Sequence, residues 1–303
     1  MKMKSYVHLP IEAARALSRH APPFVRKGIS PVFRPRFPLF LAMLLVGLMP
    51  AGVGLAQQAP APVPPAGPSG PVTRFPTRFT VVDAPEQFEQ VLMVIDFEPG
   101  SWTPPHMPGG NVYNTVIDGA ISTRPMGSTS VTTYEAGGTF MAPAGEYVEV
   151  GNSGGVSARM ISTTVLPKHT TLFTFADVSG VPPPGPTIVG QAVIGVDRPS
   201  RVFELMQMLV EFEPGMWTAT HVHGGYDLSM VATGAVTLER RSEVKSFTLG
   251  QAFVNTPGLF HKVGNESEGS TQMAVTFLVP TGATLTTIQP VDTLLLAGPG
   301  LAD

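Results

Sequence analysis

Four side chains in the C-terminal half of this chain have the types and spacing to hold a metal ion. WTATHVHGGYD (Trp217–Asp227) carries His221 and His223 one residue apart, with Asp227 four positions on. GQAFVNTPGLFHKVGN (250–265) then brings in His261 after a Pro257-Gly258 turn. On a strand, residues two apart project to the same face, so His221 and His223 point the same way. Asp227 lies beyond the flexible Gly224-Gly225, where the next strand can return its carboxylate to the same point, and His261 enters from a separate strand. The expected product is a site of three imidazole nitrogens and one carboxylate oxygen. On a six-coordinate ion such a set leaves one or two positions open. It suits Fe(II), Mn(II), Ni(II) or Cu(II), with Zn(II) as a four-coordinate alternative.

The blander reading is that a buried histidine merely satisfies a hydrogen bond, or that an exposed His-x-His pair does nothing. Against it stands the distribution: of seven histidines, five follow residue 56, and three of those five occupy these positions. Trp217, Phe212 and Met230, close to the motif, read as core residues, and Glu98 and Glu213, each before a Pro-Gly turn, read as structural.

The elements around these residues read as β structure. Charged residues make up 14% of the 303, Gly and Pro number 32 each, and the long segments are rich in Val, Thr and Phe, which favours turn-rich sheets over helices. Short alternating runs such as LMVIDF, VTLERR and QMAVTFLV, divided by Gly, Pro and Asn, suit antiparallel strands.

The chain also repeats itself. Residues 88–120 align with 203–235 at a constant offset of 115, with 15 of 33 positions identical, among them Trp102/Trp217, His106/His221 and the paired glycines that follow. Farther on, Asn152 matches Asn265 and TTVLP (163–167) matches TFLVP (276–280) at an offset of 113. Two units of similar size follow, each a sandwich or small barrel.

The N-terminal region is different in kind. A basic stretch precedes an apolar run at residues 39–56 that ends in small residues, the pattern of a secretory signal with cleavage after Ala56. Residues 1–56 hold eight of the 19 Lys+Arg and one of the 22 Asp+Glu, which leaves 11 basic and 21 acidic side chains and a net charge of −10. That surface repels nucleic acid. Export to the periplasm or beyond is therefore expected, with no stable membrane span after cleavage. Cysteine is absent, which excludes disulfides, thiol chemistry and cysteine-ligated zinc. A Pro/Ala-rich linker covers 57–74, a first domain 75–180, a proline-rich linker 181–187, a second domain 188–290 and a tail 291–303.

The two motifs resemble those of the cupin superfamily, G-x5-H-x-H-x3-4-E-x6-G and G-x5-P-x-G-x2-H-x3-N. The first is matched by Gly215, His221, His223, Asp227 and Gly234, and the second by Gly250, Pro257, Gly258, His261 and Asn265. The chain departs from the pattern in having Asp227 for the usual Glu, shorter by about 1.5 Å of reach, and P-G for P-x-G. The likeness spans both repeats and implies two tandem cupin-type jelly-roll β-barrels, a bicupin. Only the second keeps the ligands, because Pro108, Val112 and Val148 stand where His223, Asp227 and His261 stand, leaving His106 as a pocket or surface histidine. The resemblance implies a dioxygenase, decarboxylase or isomerase acting on a small organic acid or phenolic compound, and a homodimer paired through barrel faces. A metal- or ligand-binding module without turnover is the competing reading, since Tyr226 and Glu239, the nearby candidates for acid or base, read equally well as exposed residues.

Overall fold

The structure, a computed structural model, describes residues 70–177 and 183–289. The expected signal segment, the linker up to residue 69, residues 181 and 182 of the second linker and the tail lie outside the described residues.

All regular elements among the described residues are strands, ten from each repeat. The first repeat supplies β1 (Val72–Val82), β2 (Gln87–Phe97), β3 (His106–Pro108), β4 (Asn111–Asp118), β5 (Ala120–Pro125), β6 (Thr132–Glu135), β7 (Thr139–Ala142), β8 (Val148–Gly151), β9 (Ala158–Pro167) and β10 (Phe173–Phe175). The second supplies β11 (Thr187–Asp197), β12 (Val202–Phe212), β13 (His221–His223), β14 (Tyr226–Thr233), β15 (Ala235–Arg240), β16 (Glu243–Thr248), β17 (Ala252–Asn255), β18 (His261–Gly264), β19 (Thr271–Pro280) and β20 (Thr286–Ile288). The chain passes from one sheet of each barrel to the other between β4 and β5 and between β14 and β15, turning at Gly119 and Gly234, whose φ values of +62° and +74° are open to glycine at little cost.

Each barrel is two five-stranded antiparallel sheets packed face to face. The C-terminal barrel has the orders β1-β12-β19-β14-β17 and β16-β15-β18-β13-β20; the N-terminal barrel has β11-β2-β9-β4-β7 and β10-β3-β8-β5-β6. The strand pairing crosses the expected division at 75–180 and 188–290. β1 belongs to the first repeat but pairs with β12, and β11 belongs to the second but pairs with β2, so each barrel takes an edge strand from the other repeat. The folded part also starts earlier than Phe75. Val72, Thr73 and Arg74 already pair with Glu211, Val210 and Leu209, and a bulge at Phe75-Pro76 absorbs the proline without ending the strand.

The sheets that meet between the barrels are buried on both faces. In β14 the odd positions Asp227, Ser229 and Val231 alternate with the even positions Leu228, Met230 and Ala232, and all six are buried. Val231 joins the barrel interior with Phe212, Val236, Leu238 and Phe277. Leu228, Met230 and Ala232 instead pack with Leu92, Val94, Ile117 and Ile161 of the other barrel. Phe88 stacks on its repeat-mate Phe203 at 5.9 Å. A polar cluster lies within this apolar layer: Gln207 Nε2 donates to Thr163 Oγ1 (2.7 Å), Thr115 Oγ1 donates to Gln207 Oε1 (2.7 Å), and the equivalent hydroxyls of Thr163 and Thr276 share a hydrogen bond of 2.9 Å.

The exchange makes a measurable demand. A chain beginning at Ala84 keeps the whole second repeat but loses β1, and with it the burial of Val81 and Phe79 beside Phe203 and Leu205. At about 1.5–3 kcal/mol for each large apolar side chain, its thermal midpoint is expected to fall by roughly 10 °C or more. An unchanged midpoint in scanning calorimetry would show that the exchanged strand contributes nothing to stability.

Candidate metal centre

The histidine-bearing strands are fixed by features that both repeats share. Trp217 lies flat against Gly264, as Trp102 does against Gly151, and a Cβ at either glycine would overlap the indole ring. Asn265 Nδ2 donates to Phe212 O and Asn152 Nδ2 to Phe97 O, both at 3.0 Å. Glu213 accepts from Ser270 Oγ and Glu98 from Ser157 Oγ, so these carboxylates close the loop before the motif, as their Pro-Gly context suggested.

On this frame His221 faces His261 directly across β13 and β18, and His223 projects to the same side of β13. The peptide N–H of Gly258 donates to His223 O (3.0 Å), which ties the turn carrying His261 to the strand carrying the other two. The three imidazoles form one cluster, with ring centroids 4.3–5.1 Å apart and each ring's ligand atom within 4.8 Å of the others. Two nitrogens bonded to one ion at ~2.1 Å lie no more than about 4.2 Å apart, so a small closure of the rings brings all three onto a single ion.

Hydrogen bonds set the orientation of the rings. His221 Nδ1 lies 2.7 Å from Ala219 O, His261 Nδ1 2.9 Å from Leu259 O, and His223 Nδ1 3.2 Å from Leu285 O and 3.1 Å from Thr286 Oγ1. A neutral imidazole that donates from Nδ1 keeps its Nε2 lone pair free for a metal. Burial pushes all three pKa values below the usual histidine value, and the opposing pull of Asp227 is smaller. The donor set therefore fits a divalent ion: buried, neutral, converging nitrogens already in the tautomer that binds.

Asp227 comes from the opposite sheet. It is 3% exposed, with Oδ2 3.8 Å from His223 Nε2 and 3.9 Å from His261 Nε2. With neutral imidazoles these are contacts rather than ion pairs, and both distances fall within the span of two ligands on one ion. Oδ1 accepts from Ser229 Oγ (2.7 Å) and Oδ2 from Asn255 Nδ2 (2.8 Å). Ser229 and Asn255 occupy variable positions within the two motifs and were not singled out in the sequence. The one available signal was the strand period, which puts Ser229 on the face of Asp227.

The other residues considered are accounted for by packing. Phe212 is fully buried inside the barrel and Met230 between the barrels. Tyr226 packs with the inter-barrel cluster around Phe203, and Glu239 pairs with Lys262 at 2.8 Å. In the N-terminal barrel His106 keeps the local bond, Nδ1 lying 3.0 Å from Pro104 O, but Phe173 meets it edge-on at 5.0 Å and Phe175 at 6.2 Å. Phe173 stands where Thr286 braces His223, so aromatic rings occupy the equivalent space.

No family model matches the sequence, and no curated protein matches it. Among solved structures, the chain resembles a Lactobacillus farciminis oxalate decarboxylase (13% identity, 77% of this chain, 87% of that one, TM-score 0.46). It also resembles the Momordica charantia 7S globulin (11%, 75% and 90%, 0.48) and a Pseudoaminobacter salicylatoxidans salicylate 1,2-dioxygenase variant (13%, 66% and 74%, 0.38). Likenesses this distant carry no argument about activity. The tandem jelly-roll fold stands on the chain's own strand order, register and internal repeat.

The lowered histidine pKa values give a pH dependence of definite sign. In the unfolded chain each imidazole titrates near 6.5, and in the folded chain below that. Well above pH 6.5 both states are neutral there, while as pH falls through that value the unfolded state takes up protons first, so stability falls as pH drops from about 7 to 5. In chelator-treated protein the melting temperature is expected to fall over this range more than in a variant with His221, His223 and His261 all changed to Gln. Equal losses would place the titrating groups elsewhere.

Proposed function

We propose that this chain is an exported metalloprotein that holds one divalent transition-metal ion in its C-terminal barrel. Its ligands are His221, His223 and His261 with Asp227 as the oxygen donor, and its activity is that of a dioxygenase-like oxidoreductase on a small organic acid or phenolic compound. The observation that carries this reading is the convergence of three buried neutral imidazoles, each tied through Nδ1 to a backbone carbonyl. A bound ion would supply Lewis-acid or electron-transfer chemistry at its open positions.

The chain's own residues set the rest of the environment. Phe277, 4.7 Å from the His223 ring, and Val263 close the inner side of the site against water. Leu259 and Phe260, 36% and 42% exposed, give the loop that carries His261 an apolar rim suited to a phenolic or short-chain ligand. Export is supported by the signal-like N-terminus and the acidic remainder of the chain.

A binding module without turnover is favoured by one specific observation. Asp227 is itself placed as an ion ligand, Glu239 is paired with Lys262 and Tyr226 packs in the inter-barrel cluster, so neither of the latter two is free to move a proton at the site.

Elemental analysis of purified protein, followed by oxygen uptake across catechols, flavonols and keto acids, separates these readings. One ion per chain is expected, with uptake that His261→Ala abolishes. Metal and tight ligand binding without product would favour the module, and metal-free protein that takes up no added iron, manganese, nickel, copper or zinc would overturn both.

A further inference from the structure

The Asp227 carboxylate is reached by a chain of hydrogen bonds that the metal-binding reading alone does not require. Arg240 stands directly opposite His261 in the β15–β18 register, on the same face of β15 as the interior residue Leu238. Its Nε and Nη2 both donate to Asn255 Oδ1, at 3.2 and 2.9 Å, and Nη2 also donates to the backbone carbonyl of Val254. A guanidinium has only donors, so the Asn255 oxygen must face Arg240 and its amide nitrogen must face away. That nitrogen donates to Asp227 Oδ2, while Ser229 Oγ occupies Oδ1. A carboxylate oxygen has two lone pairs, so Oδ2 keeps one free on the side of His223 and His261.

The N-terminal barrel provides an internal control. In its registers Val112 faces Ala142 where Asp227 faces Asn255, and Pro125 faces Val148 where Arg240 faces His261. Asn114 stands in place of Ser229. Arg240, Asn255 and Ser229 are thus replaced in the barrel that has also lost its ligands, whereas the Trp–Gly contact, the Asn–carbonyl bond and the Glu–Ser loop closure are kept in both. The relay follows the ligands and not the fold.

We infer that Arg240, acting through Asn255 and with Ser229 on the other oxygen, is a positioning residue that holds Asp227 as a one-oxygen metal ligand through Oδ2. The inference rests on the metal-binding reading proposed above. Asp227 lacks the extra methylene of glutamate and has less freedom to find the ion by its own rotation. The relay supplies that direction from behind.

Cobalt(II) added to the metal-free full chain tests this, because its visible absorption reports the ligand set and competition with a chelating dye reports affinity. Arg240→Gln and Asn255→Ala are each expected to weaken binding about 10–100-fold, the usual effect of removing a group that orients a ligand, and to shift the cobalt bands as Asp227→Asn does. Adding Arg240→Gln to Asp227→Asn is expected to change nothing further. Ala142 shows that the fold accepts alanine at the Asn255 position, and melting of the metal-free variants provides a separate measure of folding. Single variants with parental affinity and spectrum, or losses that add in the double variant, overturn the inference. So does a fall in metal-free melting temperature that accounts for the lost affinity while the spectrum stays unmoved. A parent chain that binds no cobalt overturns the metal reading itself, and this inference with it.

Discussion

The structure depends on burying two β-sheets on both faces at once. β2, β9 and β4 on one side and β12, β19 and β14 on the other carry apolar side chains into their own barrel and, alternately, into the layer between barrels. Such a sheet cannot be left half wet, so neither barrel is complete without the other. A strand with a dry partner on each side also has little freedom to slip, because a one-residue shift would carry Asp227 and Ser229 into the apolar inter-barrel layer and Leu228 and Met230 into the site. The position of the Asp227 carboxylate is therefore set by packing that lies mostly outside the site.

The two barrels share a scaffold and differ in what they bury inside it. Both keep the devices that shape the loop ahead of the motif: the tryptophan against glycine, the asparagine under the barrel floor and the glutamate bonded to a serine. Both barrels bury polar side chains in their interiors, His106, Asn114, Ser162 and Thr164 in the N-terminal one, but among the described residues only the C-terminal barrel gathers three imidazoles and a carboxylate at one end. In its counterpart Phe173 closes over His106, and a histidine with no second nitrogen to share an ion becomes an ordinary buried side chain. The N-terminal barrel folds without these groups, so the buried polar side chains of His221, His223, Asp227 and His261 carry a desolvation cost that folding alone does not explain.

Much of this was legible in the sequence. The His-x-His spacing, the later histidine after Pro-Gly and the 115-residue offset led to the fold and to a cluster that the structure brings together. The exchange of β1 and β11 was not legible, because the two strands are equivalent by repeat and nothing in their alternation says which barrel each joins; the choice is made by the packing of Phe79 and Val81 against Phe203 and Leu205. The alternation rule also failed in the inner strands, where both faces are apolar for different reasons. Asn255 and Arg240 were missed because they are distant from Asp227 in sequence and carry no motif. They become visible only when the register sets Asn255 beside Asp227 and Arg240 beside His261.

The exchanged arms give the molecule an interlocked topology. Hydrolysis of the peptide joining the repeats would leave two fragments, each still clasping the other through a borrowed edge, so cleavage need not separate them. Within one chain the clasp is favoured by the high local concentration of a tethered strand, an advantage that a strand from a second polypeptide would lack.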